Sequence, residues 1–335
     1  MTKNSSTISG ILIGTIVSAI ALYAVLHWTG WEALITSLEN VAWGYFVLSM
    51  GVYLLSMAAR ALSWGSIMQN RFSFLQVMAA LNEGYLLNNL LPWRLGEIGR
   101  ALLLGRKPGM SVLGVLSTIV VERTYDMVFA IVLLAAMLPL AAGIPGVQQQ
   151  VLFGAAAMIV VLAGLLIAVF RQEWIEWIVK RLPGDSSRWL GLWQRVREGL
   201  SIFRTGKGLV ASLLWMALSW ALAGFEYWFM LRAVLPQATL IMALFMLTIT
   251  LLGVAIPSSP GYIGVFEAAG VLALSVFGVL RSDALAATLL LHGMVLVIAS
   301  GLGAIALMVE GETLQALYAD VRDWLKSERE INELA

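Results

Sequence analysis

The sequence predicts an all-α fold, a polytopic bundle of membrane-spanning helices, and three observations carry that prediction. Of the 335 residues, 60% are hydrophobic and only 12% are charged, whereas an average soluble domain carries about 25% charged residues. Several apolar runs reach the roughly 20 residues that a helix needs to cross a bilayer. Two apolar segments, 88–97 and 257–267, are broken by Pro and Gly and end in a carboxylate. A broken helix at membrane depth is tolerated only where its freed backbone is buried in protein or lines a cavity.

Six full spans are expected, and in chain order they cover residues 8–26, 43–68, 112–140, 151–170, 209–231 and 284–309. The first is interpreted as a span because its apolar run is long and no small-residue cleavage site follows it. Two inverted hairpins, 74–107 and 239–279, contain the breaks. Each hairpin is expected to enter the membrane and return to the same side, either as a re-entrant helix or as a pair of short helices.

The distribution of basic residues predicts the orientation of the chain. Eight Lys and Arg residues lie between Arg171 and Lys207, and short basic loops face the cytoplasm. Counting spans from this loop places both termini on the cytoplasmic side of a cell (cytoplasmic or inner) membrane. Within the loop, Trp residues on one face and basic residues on the other indicate amphipathic helices at the membrane surface.

The same pattern predicts the domain organisation. We expect one membrane domain over residues 1–310, which contains the cytoplasmic amphipathic loop 171–207, and a charged cytoplasmic tail over 311–335. Residues 43–140 and 209–309 each consist of a span, a hairpin and a span, and the two series run in opposite directions. An inverted-topology repeat with a midplane binding site between broken helices is a recurring transporter plan.

Charged residues interrupt the predicted membrane segments. A charge at the bilayer centre costs about 2.5–3.5 kcal/mol on insertion scales, so such residues usually face a bundle interior or a wet cavity. We therefore predict a partly paired network around an aqueous cavity. The ten residues concerned are Glu83, Glu97, Glu122, Asp126, Glu226, Glu267, Arg60, Arg94, Arg100 and Arg123.

Four of these residues suggest specific pairs. Glu122 and Asp126 are four residues apart on one helix face, where like charges repel unless an Arg or a proton intervenes. Arg123 can pair with Asp126 across three residues, and Arg60 is another candidate partner.

The two breaks predict local structure as well. Glu97 and Arg100 are three residues apart and can pair on one helix face. Ser259 followed by Pro260 predicts a helix start, with Ser as N-cap and Pro at the first helical position. Glu267 would then lie two turns into that helix, and the amide groups at the helix start could hold an anion.

Three sequence blocks, in order, resemble those of a known family: NNLLPWRLGEIGR at 88–100, VVERTYD at 120–126 and IPSSPGYIGVFEAAG at 256–270. Over roughly residues 8–309 the chain resembles the lysylphosphatidylglycerol synthase membrane-region family, also called the flippase-like domain family. The resemblance implies a bundle that moves a polar or phosphorylated lipid between leaflets. Synthase members carry a large soluble domain after the membrane part, and here about 26 polar residues follow, so aminoacyl transfer is not expected.

The candidate site residues fall into two groups. Those predicted to bind substrate flank the breaks or lie beside them: Asn88, Asn89, Arg94, Glu97, Arg100, Arg123, Ser258, Ser259, Gly261, Tyr262 and Glu267. Those predicted to form a charge network or to couple protons lie in the spans: Arg60, Glu122, Asp126, Glu226 and His292.

Composition excludes several classes of chemistry. The chain has no cysteine, which rules out disulfides and thiolate chemistry. Its two histidines, His27 and His292, are too far apart in the sequence to suggest a His-based metal site. The net charge of +1 gives no basic excess for nucleic acid. We expect no cofactor, no metal and no catalytic residue.

The leading hypothesis is a transmembrane lipid transporter, or flippase, with a midplane cavity lined by Arg and Glu. Its expected partner is a membrane lipid with an anionic or polar head group. Two alternatives remain: a membrane enzyme acting on a phospholipid or polyprenyl lipid, and a membrane partner of a glycosyltransferase or lipid synthase. A homo-oligomer and an association with a lipid-modifying enzyme are both compatible with the sequence.

Overall fold

The computed structural model describes Tyr23 and Gln194 and residues 31–91, 95–141, 206–255 and 259–333. These residues form α-helices and one 3-10 turn at Pro260–Tyr262, with no strand among them. The all-α prediction is therefore confirmed for the described chain. The helices are α1 Trp31–Glu39, α2 Trp43–Ile67, α3 Phe74–Leu90, α4 Leu95–Gly105, α5 Val112–Ala141, α6 Gly206–Val234, α7 Leu240–Ala255, α8 Val265–Ser275, α9 Arg281–Glu310 and α10 Leu314–Glu333.

Three helices, α2, α6 and α9, are long and apolar enough to cross a membrane. They coincide with the predicted spans at 43–68, 209–231 and 284–309. Helix α5 is 30 residues long and covers the predicted span 112–140, but it carries three charged residues. The predicted spans 8–26 and 151–170 and the loop 171–207 lie almost wholly outside the described residues, so the count of six full spans stays a prediction.

The described chain contains the same series of four helices twice. Helices α2 to α5 are 25, 17, 11 and 30 residues long, and α6 to α9 are 29, 16, 11 and 30 residues long. In both series each helix packs on the next. Between the series, α2 packs on α6, α3 on α9 and α7 on α5. The largest core thus lies between two halves of like construction.

A ladder of buried serines joins α2 to α6. Ser56 donates to the Ser219 carbonyl at 3.0 Å, and Ser219 donates back to the Ser56 carbonyl at 3.1 Å. Seven residues earlier in α2, Ser49 donates to the carbonyl of Glu226, seven residues later in α6. The pairing therefore runs antiparallel. Small side chains at such contacts let helix backbones approach closely.

The two broken segments contact each other. Helix α3 packs on the 3-10 turn, and a side chain added at Gly261 would lie 3.6 Å from the Asn89 carbonyl oxygen. The Asn89 amide donates to Ser300 of α9 at 3.0 Å. The Asn88 side-chain oxygen accepts the Gly96 amide at 2.9 Å and so caps the start of α4. The two breaks thus lie beside one another, and hydrogen bonds of Asn88 and Asn89 hold the first of them.

The arms of the first hairpin, α3 and α4, cross at two glycines. A Cβ atom on Gly96 would overlap the carbonyl of Gly84. Any larger residue at position 96 must push the two backbones apart.

The tail helix α10 packs on α4. Leu317 of α10 is fully buried in a small apolar cluster with Leu103 of α4, and an ion pair of 2.6 Å joins Asp320 to Arg106. The tail is therefore packed against the first hairpin.

We predict that cysteines introduced for Ser56 and Ser219 will form a disulfide. The two hydroxyl oxygens are 3.3 Å apart, and disulfides need Cβ atoms about 3.5–4.5 Å apart. The natural chain has no cysteine, so any cross-link must come from the introduced pair. The chain is cleaved between α2 and α6, and the mobility of the products on a denaturing gel then measures the yield of the cross-link.

The matched control is Ser56→Cys with Ser212→Cys. Position 212 lies seven residues before position 219 in α6, about 10 Å away along the helix axis, so this pair should stay reduced. Equal cross-linking of both pairs would contradict the antiparallel register.

Candidate functional site

A cavity of about 280 Å³ lies between the two halves, close to the lower end of the range for small-molecule pockets, about 300 Å³. Both breaks contribute to its wall, through Asn88 and Asn89 on one side and Tyr262 on the other. Its other polar lining residues are Tyr53, Ser56, Arg60, Tyr85, Glu97, Arg123, Asp126, Glu226, Tyr227 and His292.

Arg60 of α2 binds both acids of α5. Its Nη1 donates to Glu122 at 3.1 Å and to Asp126 at 2.9 Å, and its Nη2 donates to the other Asp126 oxygen at 2.8 Å. Trp220 of α6 also donates to Asp126, at 3.2 Å. Arg60 therefore separates two acids that would otherwise repel, and its predicted pairing with them is confirmed.

Arg123 connects α5 to α4. Its Nη1 lies 3.1 Å from Asp126, which confirms the predicted pairing across three residues. Its Nε lies 3.2 Å from Glu97 of α4. The side chains of Arg123 and Glu97 are 27% and 24% exposed, whereas Glu122 is fully buried. Arg123–Glu97 is thus a pair that a ligand can reach.

The expected pair between Glu97 and Arg100 is wrong. Arg100 is buried and its Nη2 lies 2.8 Å from Glu122, while its guanidinium stacks over the Trp64 ring at 4.4 Å. Because α4 packs along α5, each charged side chain of α4 reaches an opposite charge on α5 instead of its neighbour. Arg100 does not line the cavity, so it supports the site from behind.

A second polar pair lies on the side of α8 and α9. The Glu267 carboxylate is 2.6 Å from Nδ1 of His292, and its other oxygen accepts the Gly264 amide at 2.6 Å. The His292 ring stacks on Phe266, with centroids 4.3 Å apart, and lines the cavity. Glu267 lies behind the ring and orients it.

The predicted helix start at Ser259 and Pro260 is confirmed only for a 3-10 turn, in which Ser259 is the N-cap, and not for the α-helix. These residues open only a 3-10 turn, because Gly261 has a φ of 66° and ends the helical path. The α-helix begins at Val265, so Glu267 lies in its first turn and not two turns in. The carboxylate of Glu267 occupies the amide end that was expected to receive an external anion.

The structure brings most of the predicted site residues to one place, although their predicted roles stay predictions. The cavity wall contains Asn88, Asn89, Glu97, Arg123, Tyr262, Arg60, Asp126, Glu226 and His292. Next to it, but not on its wall, lie Arg100, Glu122, Ser259, Gly261 and Glu267. Arg94 and Ser258 lie outside the described residues.

Sequence reasoning missed the aromatic part of the wall. Tyr53 and Tyr85 line the cavity, as do Tyr227 and Phe266. Tyr53 is two helical turns before Arg60, and Tyr85 is one turn before Asn88. Helical spacing from the predicted site residues could therefore have found Tyr53 and Tyr85.

The family profile for the lysylphosphatidylglycerol synthase transmembrane region matches residues 11–303. The chain belongs to this family. The resemblance in the three sequence blocks is thereby confirmed, and the chain is a lipid-related membrane protein of the lysylphosphatidylglycerol synthase transmembrane-region type.

A more distant relative is the UPF0104 membrane protein of Methanothermobacter thermautotrophicus. It is 24% identical over 193 residues, which cover 55% of this chain and 56% of the relative. The match thus spans about half the length of each protein. No solved structure matches the chain at a significant level.

Removal of the Arg60 side chain should strongly destabilise the protein. Arg60→Ala would leave Asp126 and Glu122 buried with fewer cationic partners, and removing one partner of a buried ion pair costs about 3–5 kcal/mol. Denaturant or thermal unfolding of the purified protein in detergent measures the loss.

The control is Arg322→Ala, which removes an exposed pair with Asp323 and should cost about 0–1 kcal/mol. A loss for Arg60→Ala as small as that of the control would contradict the role of Arg60 in the network.

Proposed function

We propose that this protein is a transmembrane transporter that moves a polar or phosphate-bearing lipid between leaflets without changing it covalently. The observation that carries the proposal is the cavity at which the two broken hairpins meet, because its polar wall lies inside an otherwise apolar bundle. A lipid head group needs such a polar compartment to cross the bilayer core. The acyl chains can stay in the surrounding lipid.

The duplicated architecture supports the proposal. Two halves of equal helix order, joined by the antiparallel α2–α6 contact, form in our proposal an inverted-topology repeat, 43–140 and 209–309. Transporters built in this way bind substrate near the midplane and expose it alternately to the two sides. The first hairpin would open to the cytoplasm, and the second to the opposite side.

Glu97 and Arg123 are in our proposal the groups that a head group meets. They join α4 to α5 and are more exposed than the Arg100–Glu122 pair behind them. A polar head group can insert between them and replace their ion pair with its own contacts to each side chain. After the head group leaves, Glu97 and Arg123 would pair again, and the hairpin would return to its resting position on α5.

Glu97→Gln should slow the transfer of a fluorescent lipid between leaflets in reconstituted vesicles. Loss of one charge-assisted hydrogen bond costs about 1.5–3 kcal/mol, so the rate should fall about tenfold or more. Arg123→Gln should behave alike, since it removes the other partner of the same pair.

Glu39→Gln is a suitable control for this assay, because Glu39 is exposed at the end of α1 and its substitution should leave the rate unchanged. Thermal unfolding of each variant shows whether it is folded. Full transfer rates in folded Glu97→Gln and Arg123→Gln would refute this site.

One observation favours a second candidate function, an enzyme acting on a membrane lipid. Glu267 orients His292, and the ring lines the cavity, as a general base is oriented in acid–base catalysis. Thin-layer chromatography of labelled lipids after incubation with the purified protein separates the two functions. A new product favours the enzyme, and unchanged lipid together with leaflet transfer favours the transporter.

A further inference from the structure

The cationic groups in and behind the cavity wall already have anionic partners. Among the described residues, the three arginines of the network are matched by three acids of the protein: Arg60, Arg100 and Arg123 by Glu97, Glu122 and Asp126. The amide end of α8 is likewise occupied by Glu267. A bare phosphate at these cations would add negative charge to a buried network that the carboxylates of the protein already neutralise.

Several neutral groups of the cavity wall have no hydrogen-bond partner among the described residues. Within the described part of the chain, the hydroxyls of Tyr53 and Tyr85 make no hydrogen bond, although both residues line the cavity. The side-chain oxygen of Asn88 accepts a hydrogen bond, and its NH₂ group is available to a ligand. The NH₂ group of Asn89 donates a hydrogen bond, and its side-chain oxygen is available. The Glu226 carboxyl also lines the cavity without a side-chain partner among these residues.

These uncommitted groups suit the hydroxyls of a sugar or polyol. Each hydroxyl of such a ligand can donate one hydrogen bond and accept two, and the wall offers both acceptors and donors. A carboxyl such as that of Glu226 can accept from two neighbouring hydroxyls. Tyr85 and Phe266 add apolar ring surface, which suits the C–H groups of the same ligand.

We infer that the cavity takes a hydroxyl-rich head group, that of a glycolipid or polyol lipid, in preference to a bare phosphate. The inference rests on the proposed transport function for the lipid part of the ligand. The head-group chemistry is inferred from two observations: the charges are paired, and hydroxyl, amide and carboxyl groups of the cavity wall are not. Tyr53, Tyr85, Asn88, Asn89 and Glu226 are the residues assigned to it.

The test is a binding measurement on the full-length protein in lipid nanodiscs. The probes are glucosyl diacylglycerol, phosphatidic acid with the same acyl chains, and free glucose. Native mass spectrometry or a fluorescence titration gives the affinities. A site built to bind hydroxyls rejects analogues that lack them, so glucosyl diacylglycerol should bind about tenfold tighter than phosphatidic acid or more.

Two variants test whether residues of the cavity wall cause the preference for glucosyl diacylglycerol. Tyr85→Phe and Glu226→Gln should each weaken glucosyl diacylglycerol about fivefold, the usual effect of one lost hydrogen bond, and should leave phosphatidic acid unaffected. Tyr85→Phe should fold normally because its hydroxyl has no protein partner to leave unsatisfied. The matched control is Tyr45→Phe, whose ring stacks on Phe229 away from the cavity and which should bind as the natural protein does.

The outcomes test two claims separately: that the ligand has a hydroxyl-rich head group, and that the protein transports a lipid. Phosphatidic acid binding as tightly as the glycolipid, or variants that leave glycolipid affinity unchanged, would overturn the hydroxyl-rich head group. Glucose binding as tightly as the glycolipid would support the hydroxyl chemistry and overturn the lipid as its source. Tight glycolipid binding without leaflet transfer would uphold this inference and refute the proposed transport function.

Discussion

The cost of burying charge in a low-dielectric bundle is the constraint on which the rest of the structure depends. Glu122 is fully buried and Arg100 nearly so, and such groups are tolerated only when they are paired and hydrogen-bonded. The partners of Glu122 come from α2 and α4, and Asp126 adds Trp220 from α6. Because one cluster needs all these helices, it sets their positions and the shape of the cavity beside it.

Local sequence spacing predicted the fold and part of this network. The long apolar runs of α2, α6 and α9 and the Pro–Gly breaks do not depend on the rest of the chain. The pair Arg123–Asp126 is local as well, since both residues lie on one helix. Three ordered motifs then sufficed to point to the family that its profile confirms.

Tertiary contacts decided what the sequence could not. The spacing of Glu97 and Arg100 allows a pair, but the α4–α5 contact provides each with a different partner, Arg123 and Glu122 respectively. The link between Glu267 and His292 joins residues 25 positions apart, a distance at which helical periodicity carries no information. At Gly261 a positive φ ended the helical path that Ser259 and Pro260 suggest, because glycine accepts that conformation without a steric cost.

The glycine crossing of α3 and α4 has a mechanical consequence. Where two backbones touch at Gly84 and Gly96, no layer of side chains remains to shear between them. We expect the two arms to behave as one rigid unit. If the protein carries lipid as we propose, Asn88 on one arm and Glu97 on the other would keep their spacing as the hairpin moves, so a head group would meet the same arrangement from either side.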